Sequence, residues 1–169
     1  MTGYVALLRA VNVGGTGKLP MADLCAMAGR AGFAKVRTYI ASGNLVFESD
    51  LGEGAVKAAL EAALKAYAGK PVGVIVRTAG EMAGVGAANP FADAPANRTV
   101  AIFLDAPPPA GFAAAATGRA SEEIAPGRRE IYVHYPDGQG VSKLKIPAAA
   151  KGTARNMNTI ATLAEWAAR

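Results

Sequence analysis

Between Gly3 and Arg77 the hydrophobic periods and their breaks read as strand, helix, strand, strand, helix, strand, an order that constrains the fold more than any other feature. Gly3 to Arg9 is a short apolar run. Met21, Leu24, Cys25 and Ala28 then fall on one helical face, with Pro20 suited to the first turn and Gly32 to the stop. Lys35 to Ala41 and Leu45 to Glu48 are rich in Val, Tyr, Ile and Phe and are joined through Ser42-Gly43-Asn44, a hairpin signal. Val56, Leu60, Ala63, Leu64 and Tyr67 form a second helical stripe ended by Gly69, and Pro71 to Arg77 is a fourth strand. This is the split βαβ, ferredoxin-like pattern, an antiparallel sheet with helices on one face.

Beyond it, Thr78 to Ala88 reads as a short helix capped by Thr78 with Glu81 three residues on. Asn89-Pro90-Phe91 ends that helix, and residues 92–97 read as a linker. A strand follows at Thr99 to Asp105, then an alanine-rich helix around Phe112 to Thr117. A hairpin, Glu122 to Ala125 with Glu130 to Tyr135, turns at Pro126-Gly127. Val141 to Ile146 reads as a strand after the glycine turn at Gly138 and Gly140, and Met157 to Ala168 as the last helix, with Ile160, Leu163, Ala164 and Ala167 on one face. The predicted fold class is α+β: two ferredoxin-like (α/β-plait) subdomains with antiparallel sheets and helices packed on them, residues 1–91 and a less regular 98–169.

Composition narrows the function classes. With 51% hydrophobic and 18% charged residues the chain has apolar material for a packed interior, although much of it is alanine, which buries little area. The formal charge of +5 is uneven: residues 1–47 carry +4 and residues 141–155 another +4, leaving −3 for the rest. Such basic segments attract phosphate or acidic partners in a salt-sensitive way. A single cysteine excludes an internal disulfide and any CxxC pattern. No signal peptide and no apolar run long enough to span a bilayer are read, so a soluble cytoplasmic protein without membrane partners is expected.

Two stretches are the most informative about binding. From Arg9 to Met21 the chain leaves a strand, crosses a loop with Gly14, Gly15, Gly17 and Lys18, and enters a helix at Pro20, an arrangement that offers backbone amides to an anion. It is not a P-loop, because Asn12 and Leu19 stand where Gly and Ser/Thr are needed. Nor is it a dinucleotide fingerprint, because Pro20 replaces the third glycine. The second stretch carries Lys143 and Lys145 on one strand face and Arg155 beside Thr153 or Asn156, either of which can cap the last helix.

Other signals point away from catalysis and stacking. Ser42 to Phe47 does not supply the basic and aromatic residues of an RNP1 strand, and Tyr39 is the only aromatic on the strand before it. His134, the only histidine, has no Cys or carboxylate constellation in sequence, and Cys25 sits on an apolar helix face as a small core residue. Glu122 and Glu123 are adjacent, so on a strand they point to opposite faces. No triad, metal site or cofactor is implied.

Taken in order, Arg9, Asn12-Val13-Gly14-Gly15, Pro20-Met21, Tyr39, Ser42-Gly43-Asn44, Phe47, Asn89-Pro90-Phe91, Ser142-Lys143-Leu144, Arg155-Asn156 and Asn158-Thr159 resemble the bacterial domain-of-unknown-function family 1697 over nearly the whole chain. The resemblance implies paired α/β-plait subdomains and brings no established reaction. Ala10 stands where the family often has glycine, and Met157 where tryptophan is common. The reading that follows is a binding protein for a phosphate-bearing ligand, a nucleotide or short nucleic acid, held by Arg9, Asn12, Lys18, Ser42, Asn44, Lys143, Arg155 and Asn156. The alternatives are an enzyme acting on such a ligand by charge stabilisation, or an interaction module without a small ligand.

Overall fold

A computed structural model of the chain describes residues 1–9, 19–41 and 43–169. These fold as two compact units, Met1–Ala83 with Thr162–Arg169, and Gly84–Ala161. Residues 92–97, read from the sequence as linker, lie inside the second unit, and the last eight residues belong to the first.

The first unit contains β1 (Thr2–Leu8), α1 (Met21–Arg30), β2 (Ala34–Thr38), β3 (Asn44–Ser49), α2 (Glu53–Ala68) and β4 (Val74–Thr78). Its sheet has the order β2-β3-β1-β4, with every neighbouring pair antiparallel. Alternate residues of the strands, Tyr4, Ala6, Leu8, Leu45, Phe47, Val74 and Val76, meet Leu24, Met27 and Ala28 of α1 and Val56, Leu60 and Leu64 of α2 in one apolar cluster. The periods of two and of three to four residues converge here on the same layer. Each large side chain so buried contributes about 1.5–3 kcal/mol. Phe47 is central, with the ring of Phe33 stacked on it at 4.4 Å. Tyr67 departs from the expected stripe: it is exposed, and its hydroxyl donates to Asp23 of α1 at 2.7 Å. Gly69 ends α2 with φ 73°, a left-handed cap that glycine adopts without strain.

Next, α3 (Ala79–Ala87) begins with a reciprocal capping box, the Thr78 amide donating to Glu81 Oε1 at 2.9 Å and the Glu81 amide to Thr78 Oγ1 at 3.2 Å.

The second unit carries β5 (Thr99–Phe103), β6 (Glu123–Pro126), β7 (Glu130–His134) and β8 (Thr153–Asn156), antiparallel in the order β6-β7-β5-β8. With the first strand central and the fourth at an edge, this repeats the order of the first sheet, so the chain holds two similar α+β subdomains. Val100, Leu104, Phe112, Ile131, Val133, Tyr135 and Ile146 form its cluster. α4 (Met157–Ala167) follows β8 directly.

Three expectations change in this half. The segment around Phe112 to Thr117 is a run of turns, with i to i−3 bonds such as Ala114 N to Gly111 O at 3.1 Å. Gly111 and Gly118 bracket it with φ 78° and 70°, leaving too few residues to repay helix nucleation. Val141 to Ile146 is not a strand: a 3-10 turn covers Gln139–Val141, and Lys145 makes only an isolated bridge with Thr117. Lys143 and Lys145 therefore share no strand face. The fourth strand is instead β8, so Thr153 lies in the sheet, and the cap falls to Asn156, whose Oδ1 accepts the Thr159 amide at 2.9 Å. Among the described residues no helix is long and apolar enough to cross a membrane.

Candidate functional site

At one end of the first sheet the chain leaves β1 through Arg9. Leu8 donates its amide to Gly43 O and Arg9 donates its own to Gly73 O, both at 2.9 Å, so the last residues of β1 are fixed between the β2–β3 turn and the start of β4. Arg9 is exposed. A Cβ on Gly73 would lie 3.5 Å from Arg9 Cβ and 3.6 Å from its Cδ, which shows the arginine stem running over that glycine. The turn is closed by Asn44, fully buried, whose Nδ2 donates to Tyr39 O at 2.9 Å while Tyr39 N donates to Asn44 O at 3.0 Å. Arg9 and Asn44 thus share one sheet end, Asn44 as the closure of the turn. Asn12, Lys18 and Ser42, also expected in the site, lie outside the described residues.

On β2 a second arrangement emerges that sequence reasoning missed. Val36 packs toward the helices and Arg37 points to the other face, where the last turn of α4 brings Trp166. The Arg37 guanidinium lies 5.7 Å from the centre of the indole and donates Nη2 to Trp166 O at 2.9 Å, while the ring of Tyr39 meets the indole edge-on at 5.3 Å. Cation–π stacking of this geometry is most favourable with tryptophan. Arg37 Nε is buried without a hydrogen-bond partner. Gly3 admits the approach of α4, since a Cβ there would sit 2.4 Å from Ala167 O. Arg37 and Trp166 are 129 residues apart, and no local pattern marks either.

The remaining candidates lie in the second unit. Arg155 is buried in β8, with Nη1 donating to Thr153 Oγ1 at 2.8 Å and to Ala154 O at 2.9 Å, and burial lowers its pKa to about 10. Asn156 starts α4 as described. Lys143 is exposed on the rim of a cavity of about 160 Å³ that Glu122, Tyr135, Asp137 and Ser142 also line. Two carboxylates are held there by hydroxyls: Ser142 Oγ donates to Glu122 Oε2, and Ser121 Oγ to Asp137 Oδ2 at 2.9 Å. The Ser142 hydroxyl and the Ala120 amide hold the Glu122 pKa below the ordinary glutamate value. Burial raises Tyr135, with the Glu122 charge adding to it. Glu122 is thus a buried anchor of the loop rather than the first residue of β6. Phosphate is disfavoured in this cavity, because two carboxylates outweigh one lysine.

His134 packs beside Phe91, with Nδ1 3.4 Å from Thr99 Oγ1 and 3.3 Å from Arg98 O. Cys25 is only partly buried. Among the described residues no group of three or more His, Cys, Asp or Glu is placed to hold a metal ion.

Comparison with known proteins agrees with this architecture. A conserved bacterial protein, SP0830 from Streptococcus pneumoniae, has a similar structure, with a TM-score of 0.77 and 20% identity over 98% of each chain. At that identity the likeness speaks for the fold alone. No curated protein is detectably similar in sequence. The profile of DUF1697, described as a protein of unknown function, matches residues 1–132, and the chain therefore belongs to that family.

Proposed function

We propose that this is a cytoplasmic binding protein for a phosphate-bearing ligand, a nucleotide or a short nucleic acid, taken at the Arg9 end of the first sheet. The observation that carries the reading is Arg9 itself, an exposed residue whose stem runs over Gly73 and whose amide donates to Gly73 O. A braced arginine loses little freedom on chelating phosphate oxygens. The sequence on either side of it is basic as well, residues 1–47 carrying a net +4. Asn12, Lys18 and Ser42 complete the set as sequence expectations. Arg155 and Asn156, in the second unit, build β8 and open α4 there, and Lys143 lies at the rim of that unit's own cavity.

Calorimetric titration with mononucleotides tests the proposal. Arg9→Ala is expected to weaken binding by about 1.5–3 kcal/mol, the worth of a charged hydrogen bond, with an unchanged circular-dichroism spectrum. Equal affinity in wild type and variant would remove Arg9 and the proposal with it.

A further inference from the structure

We infer that the cluster of Arg37, Tyr39 and Trp166 receives the nucleobase of that ligand by stacking, an inference that rests on the reading just given and names the part of the ligand that phosphate contacts leave unspecified. All three side chains belong to the first unit, and each is only partly buried. Their flat groups, each partly exposed, lie together on the sheet face opposite α1 and α2, with the guanidinium 5.7 Å from the indole centre and the tyrosine ring 5.3 Å away on its edge. Planar heteroaromatic groups stack on such surfaces without needing base-specific hydrogen bonds, and arginine joins them as a cation.

Position and charge select the occupant. Tyr39 closes the β2–β3 turn against Asn44, and the same turn takes the Leu8 amide next to Arg9. Two strand spacings, about 10 Å, separate the β2 end from the β1 end across the sheet, the scale of one nucleotide. A base on the cluster and its phosphate at Arg9 therefore fit one sheet end. Ile40, beside Tyr39, is 52% exposed and held at φ 53°, a conformation that a β-branched residue adopts only under strain. The guanidinium within the stack and the +4 of residues 1–47 suit an anionic ligand that carries an aromatic group.

Trp166 is the only tryptophan, so its fluorescence reports on the cluster without labelling. The full chain would be titrated with adenosine 5′-monophosphate, a single-stranded oligonucleotide and ribose 5-phosphate, following fluorescence and, by calorimetry, affinity. Both base-bearing ligands are expected to perturb the emission, and the mononucleotide to bind about tenfold or more tightly than ribose 5-phosphate. That advantage should vanish in Tyr39→Ala and in Trp166→Leu, whichever of the two folds as wild type. A larger effect with the oligonucleotide would identify single-stranded nucleic acid as the source of the base, and equal effects per base the free nucleotide. Equal affinity for mononucleotide and ribose 5-phosphate overturns the stacking site while leaving the phosphate site standing. Binding of neither overturns both.

Discussion

Gly118 shows how narrowly single positions are set. Its φ is 70°, and a Cβ there would lie 2.1 Å from Lys143 O, so the residue has neither the conformation nor the space for a side chain. Gly118→Ala is expected to cost about 2 kcal/mol or more in a urea titration, because both the strain and the clash fall on backbone. Glu122 sets a dependence on pH. Its pKa is lowered in the fold, chiefly by the Ser142 hydroxyl, so the stabilisation is full above the unfolded glutamate value and is lost as pH falls through the lower folded value. Thermal melts between about pH 3 and about pH 6 should show this decline, and Glu122→Gln should flatten it. A variant with the wild-type acid limb would mean that another carboxylate is responsible. Tyr132, its pKa raised to about 12 by burial and by the Glu130 charge, donates its hydroxyl to Val85 O at 2.7 Å and stays neutral throughout that range.

Among the elements, the capping box of α3 is testable in isolation. Thr78→Ala removes the acceptor of the Glu81 amide and should lower stability by about 1 kcal/mol, with little further loss on adding Glu81→Ala, because the two bonds form one motif. That box was legible in the sequence for a physical reason: its partners are three residues apart, and the side chains themselves carry the signal. The same holds for the Gly69 stop and for the Val56, Leu60, Leu64 stripe, where every cue lies within a turn or two. What failed to read was β8. Thr153–Asn156 is four residues long and pairs with β5 some fifty residues earlier, so nothing local distinguishes it from a helix cap. The alanine-rich stretch near Phe112 misled in the opposite direction, since helix propensity is outvoted there by Gly111 and Gly118 at positive φ. At the proposed site, the end of β1 before Arg9 was legible, because an apolar run stops there ahead of a glycine-rich stretch. Trp166 was not, because only the tertiary fold brings it to Arg37.

For the molecule as a whole, the two sheets share one strand order while their helical cover differs. The first sheet carries two long amphipathic helices, whereas the connections of the second are turns and 3-10 segments, so its cluster draws on Phe112 and Ile146 from those connections. The final residues, 162–169, belong to the first unit and bring both the fully buried Leu163 and the Trp166 carbonyl that holds Arg37. Deleting them should lower the thermal midpoint and leave the β2 edge without its aromatic cover, which hydrogen exchange at β2 amides would report as lost protection. The Arg9 end of the first sheet is proposed to bind a phosphate-bearing ligand. The most direct test is the thermal midpoint of wild type and Arg9→Ala with mononucleotides and short single-stranded RNA or DNA at low and high salt. Wild type is expected to show a rise that shrinks with salt and is absent in Arg9→Ala. No rise with any of these ligands, or an equal rise in the variant, would contradict it.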